Sequence, residues 1–165
     1  MLLSRHRTPY NLWRMLYMNT RYFSLVLGIV FLLIGIAGFV PGLLHSPEHT
    51  GDVEVTQSFG RLMGLFPVNA LHNVVHIVFG IWGIAAYRSY TGARGYSKAV
   101  AIIYAVLAIM GIIPGLNTTF GLVPLYGHDI WLHAVIAIAA AYFGFVATDR
   151  EVGYSSTTTT TNHRI

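Results

Sequence analysis

The stretch "LHNVVH", Leu71 to His76, sets two histidines one helical turn apart in an otherwise apolar run, and "HDIWLH", His128 to His133, sets Asp129 and His133 in a second. A His-x-x-x-His spacing presents both imidazoles on one helix face. With a carboxylate and a third imidazole from another helix, His72, His76, Asp129 and His133 make a four-ligand set for a metal ion. The zinc-protease pattern requires Glu after the first histidine, and Asn73 stands there, so hydrolysis of that kind is unsupported. Alternatively, His76 and His133 face each other as the two axial ligands of a haem b, since imidazole suits iron. One histidine alone can ligate a chlorophyll magnesium or hydrogen-bond a quinone. The plainest chemistry is structural: a buried imidazole locks one helix to a carbonyl, a hydroxyl or a water on the next.

The elements that position these residues follow from composition. The chain has 165 residues, 55% hydrophobic and only 10% charged, against about 25% charged in a soluble domain. Four apolar runs approach the length a bilayer demands: Tyr22 to Val40, Asn69 to Tyr87, Lys98 to Ile113 and Ile130 to Thr148. The third is short and is expected to extend through its glycine and proline end. Each must be helical, because an unpaired backbone group in hydrocarbon costs several kcal/mol. The expected fold is all-α, a four-transmembrane-helix bundle over residues 22–148, with a basic, interfacial leader at 1–21 and a polar, disordered tail at 149–165. Neighbouring helices lie ~8–10 Å apart, so diagonal spans two and four lie ~12–14 Å apart, wide enough for a haem between two imidazoles.

Charge gives the orientation. Arg5, Arg7, Arg14 and Arg21 precede span one; Arg88, Arg94 and Lys98 lie between spans two and three; Arg150 and Arg164 follow span four. Arg61 alone stands in the opposite loops, with Glu48, Asp52, Glu54 and Asp129. This bias places both termini in the cytoplasm. It also accounts for the net charge of +4 without nucleic acid, because the basic residues flank spans instead of forming a patch. There are no cysteines, which excludes disulfides, thiolate metal sites and iron–sulfur clusters.

An internal similarity pairs the histidines. "GFVPGL" at Gly38 matches "GIIPGL" at Gly111, and "GLFPVNALHNVVH" at Gly64 matches "GLVPLYGHDIWLH" at Gly121. The chain therefore reads as two tandem helical hairpins related by a pseudo-twofold axis along the membrane normal. His76 and His133 are equivalent, as are His72 and Asp129. Gly80 and Gly83 continue the histidine face of span two, and Ala137 and Ala140 that of span four; such small-residue stripes mark close helix contact. His6, His45, His49, His128 and His163 fall in loops, tails or interfaces. There is no phosphate loop, no Ser-His-Asp order and no acidic pair inside a span, so a small transporter is a weaker alternative.

The runs from Arg21 to Ala147, most distinctively Phe66-Pro67-Val68-Asn69 with His72 and His76, and Trp131-Leu132-His133, resemble a family of small four-span membrane proteins of cyanobacteria and actinobacteria with unknown function. That resemblance implies an integral protein of a bacterial inner or thylakoid membrane and brings no catalytic residues. With little mass outside the bilayer, the expected role is a non-enzymatic accessory or structural subunit. It would pack against a larger membrane complex, or against itself, and hold a tetrapyrrole (haem or chlorophyll) through His76 and His133. The alternative is a metal-binding membrane protein.

Overall fold

The computed structural model describes residues 20–46 and 60–147. The leader and the tail lie almost wholly outside them, as do His6, His49 and His163. Among the described residues there are four α-helices: α1 Thr20–Ala37, α2 Ala70–Ala86, α3 Tyr90–Ile112 and α4 His128–Ala141, the last continued as a π-helix over Tyr142–Val146. Thr20–Ala37, Tyr90–Ile112 and His128–Val146 are long and apolar enough to cross a membrane, and α2 has 17 residues. Large apolar side chains such as Leu33, Val78, Ile81, Ile102, Ile109 and Ile138 face outward. A soluble protein rarely leaves so much contiguous apolar surface in water. The chain is an integral membrane protein, and these side chains meet lipid.

Burial is inverted accordingly. Buried serine, threonine, asparagine and histidine side chains lie inside with Phe31, Tyr96, Val100 and Tyr104, while no leucine or isoleucine of the four helices is buried. Helix α1 packs on α2 backbone to backbone. A Cβ on Gly28 would come within 2.7 Å of the Ile84 nitrogen, and one on Gly80 within 2.7 Å of the Leu32 nitrogen. Between α3 and α4 alanines serve instead: Ala101, Ala137 and Ala140 belong to the buried cluster with Tyr96 and Tyr104. Without a hydrophobic drive between helices in lipid, such close approach supplies the attraction.

Two expectations need correction. The chain is mostly helical but not all-α: β1 Leu44–His45, β2 Gly60–Leu62 and β3 Phe66–Val68 form a three-stranded antiparallel sheet in the order β1-β2-β3. Leu44 pairs with Leu62 and Gly60 with Val68, around a tight turn in which Met63 and Gly64 have positive φ. The sheet pairs loop backbone that would otherwise be unsatisfied close to lipid. Second, the third helix grows in the opposite direction from that expected, beginning at Tyr90 instead of Lys98. The Ser89 side chain caps it by accepting from the Gly92 nitrogen at 3.0 Å. The Arg94 Nε, on this added stretch, donates to the Gly144 carbonyl at 3.0 Å.

Two asparagines fasten the loops to α2. Asn69 caps the helix, its side-chain oxygen accepting from the His72 nitrogen at 2.8 Å, while its Nδ2 donates to the Leu122 carbonyl at 2.7 Å. Asn73 Nδ2 donates to the Gly38 carbonyl at 2.7 Å. Asn69→Ala removes a cap and leaves the Leu122 carbonyl without that donor, so it is expected to cost about 2 kcal/mol. A thermal melt in detergent checks this, and an unchanged midpoint would show that the loop is held by other contacts.

Candidate metal centre

His72 and His76 lie one turn apart in the first two turns of α2, behind the Asn69 cap. Asp129 and His133 hold the same places in α4, whose N-cap, Gly127, has φ +67 and turns the chain into the helix. The four side chains meet inside the protein, with exposures of 4% for His72, 7% for His76, 3% for Asp129 and 3% for His133. The His72 ring stacks on His76 with centroids 4.5 Å apart and lies 6.3 Å from that of His133.

His133 and Asp129 are joined directly. The His133 Nδ1 lies 2.7 Å from the Asp129 backbone oxygen and 3.2 Å from its Oδ2. With Nδ1–H donating there, Nε2 becomes the free nitrogen of the ring, the arrangement by which carboxylates orient metal-binding imidazoles. One candidate ligand atom from each of His72, Asp129 and His133 lies within 4.8 Å of the other two. The Nδ1 atoms of His72 and His76 are buried and make no hydrogen bond of good geometry among the described residues, although the Pro67 backbone approaches His72 and the His72 backbone approaches His76. A buried polar atom without a well-made hydrogen bond costs about 1–3 kcal/mol, so each of these nitrogens calls for a partner.

Of the four residues read from the sequence, three make this cluster, and His76 stands beside it, stacked on His72. His76 also contacts Phe31, at 5.4 Å between centroids. Phe31 stacks on Tyr104 at 5.3 Å, and Tyr104 packs on His133 at 4.8 Å. Ring contacts thus run from His76 through Phe31 and Tyr104 to His133. His45, in β1, and His128, at the start of α4, are both exposed.

Beside the cluster lies an apolar cavity of about 220 Å³, whose lining includes His72, His76, Phe79, Tyr104, Thr119 and His133. Thr119 was not legible from the sequence. It lies in the loop before α4, where Thr119, Phe120 and Gly121 successively take φ values of 49°, 60° and 83°. Two consecutive non-glycine residues in that region are uncommon and strained, and no local sequence pattern demands them.

A family model described as "Domain of unknown function (DUF4383)" matches residues 21–146. No curated protein and no solved structure matches the chain.

Proposed function

Because the chain belongs to the DUF4383 family, which assigns it no activity, we propose from its own chemistry that it is a non-enzymatic membrane protein clasped by a divalent metal ion of the zinc class. The ligands are His72, Asp129 and His133. One observation carries this: three candidate ligand atoms from two different helices lie within 4.8 Å of one another in a buried setting. Tetrahedral bonds of ~2.0–2.2 Å put ligand atoms ~3.4 Å apart, so side-chain rotations of about an ångström complete the site. Two imidazoles and a carboxylate match zinc preferences, and a charged aspartate is far less costly inside a protein beside a dication.

The remaining features fit a clasp. In the tandem-hairpin plan, one hairpin contributes His72 and the other contributes Asp129 and His133, so the ion ties the two halves together. With both termini cytoplasmic, as the arginines indicate, the ion sits toward the outer face of a bacterial membrane. A rigid pair of hairpins with lipid-facing apolar sides is suited to an accessory role against a larger membrane complex. A tetrapyrrole held by His76 and His133 is the second reading; the ion is preferred because its three candidate ligand atoms already lie within 4.8 Å of one another.

The test is metal analysis of protein purified in mild detergent without chelator. About one zinc-class ion per chain is expected, falling at least about tenfold in His72→Ala and in His133→Ala. A well-folded, metal-free protein that takes up no added zinc would overturn the proposal. A Soret band in the same sample would restore the haem.

A further inference from the structure

We propose that the apolar cavity beside the histidines binds the ring of a membrane quinone, with a ring carbonyl accepting a hydrogen bond from His76. The cavity is almost wholly apolar, with the imidazoles of His72, His76 and His133 in its lining. His76 is 7% exposed, lines the cavity, and has an Nδ1 with no hydrogen bond of good geometry among the described residues, only the His72 backbone nearby. It also falls outside the three-residue metal cluster, so it is left for another ligand. The cavity is walled by Phe79 and Tyr104, flat faces suited to a planar ring.

Size and charge narrow the occupant. At ~30 Å³ per water-sized group, 220 Å³ holds about seven such groups, a six-membered ring with one or two oxygens. No lysine, arginine, aspartate or glutamate lines the cavity, and Asp129 adjoins it through His133, whose Nδ1 lies 3.2 Å from the Asp129 Oδ2. The other imidazoles facing it are His72 and His133. A carboxylate or phosphate head would enter without a lining counter-charge, whereas a neutral carbonyl needs only a donor.

The way in is sideways. Val75 on α2 and Ile103 on α3 both line the cavity and are 37% and 39% exposed on the lipid-facing surface. A ring can enter between them while its isoprenoid chain stays in the bilayer.

The experiment is equilibrium gel filtration of the detergent-purified protein with a decyl-substituted benzoquinone, with decanoic acid as the carboxylate comparison. Saturable uptake of one quinone per chain is expected. Affinity should fall about tenfold in His76→Leu, with the metal content unchanged, and should be lost in Leu107→Trp, which fills the cavity. Equal uptake by the wild type and Leu107→Trp would overturn the site, as would decanoic acid binding as tightly as the quinone. Asp129→Asn separates the two proposals: it is expected to lose the ion and keep the quinone, so either site can fail while the other stands.

Discussion

Asp129→Asn is expected to make the protein indifferent to chelators. In the wild type, an ion at a thousandfold excess over its Kd contributes about 4 kcal/mol, and a strong chelator should remove that and lower the thermal midpoint accordingly. Asparagine keeps the shape of aspartate and can still accept from the His133 Nδ1, which lies 3.2 Å from the Asp129 Oδ2. What it removes is the negative charge, leaving two imidazoles and a weak amide oxygen for a dication. The variant should therefore fold, melt near the chelated wild type, and show no further shift with chelator. Melts of both proteins with and without chelator decide the matter. If both shift equally, the ion is elsewhere; if neither shifts, there is no ion to remove. Asp129→Ala should lose the ion in the same way while keeping the backbone oxygen that the His133 Nδ1 meets at 2.7 Å, so it too should show no further shift with chelator.

The second large effect is expected at the α1–α2 contact. In Gly80→Ala the new methyl would stand 2.7 Å from the Leu32 nitrogen and 2.9 Å from both the Gly28 carbonyl oxygen and the Leu32 Cα. All three are backbone atoms, so no rotamer change relieves the clash and the two helices must separate. Overpacking typically costs 1–3 kcal/mol, and about 3 or more is expected where only backbone can yield. The separated α2 also carries His72 off its place, so zinc affinity should fall with stability. Gly42→Ala is the control, since nothing lies within 4 Å of its Cβ position. Detergent melts of the two variants test this, and equal midpoints would show that the glycine contact carries no stability.

The helices were legible because apolar length and the scarcity of charge announce a bilayer without help from tertiary structure. Residues 44–68 were not: their strands have two or three residues each, too short for an alternating pattern to register. The early start of α3 was hidden by the polar, glycine-containing "YTGARGYS", which reads as a loop until Ser89 is recognised as its cap. His72, Asp129 and His133 were legible as a group because matching segments gave them matching depths. The sequence could not show which of the four ligands would cluster, because that depends on ring rotations and on the aromatic chain through Phe31 and Tyr104.

The unequal lengths of α2 and α3 reach beyond the protein to the bilayer around it. At 1.5 Å per residue, the 17 residues of α2 span about 25 Å and the 23 of α3 about 35 Å. The hydrocarbon core is about 30 Å thick, so beside α2 the bilayer must thin or the flanking residues must snorkel, while beside α3 neither is needed. Mismatch of this sort sorts proteins among membranes by thickness and draws headgroups and water inward on one side. The histidines lie in the first two turns of α2, at the end of that shorter helix, where headgroups and water drawn inward come nearest to them.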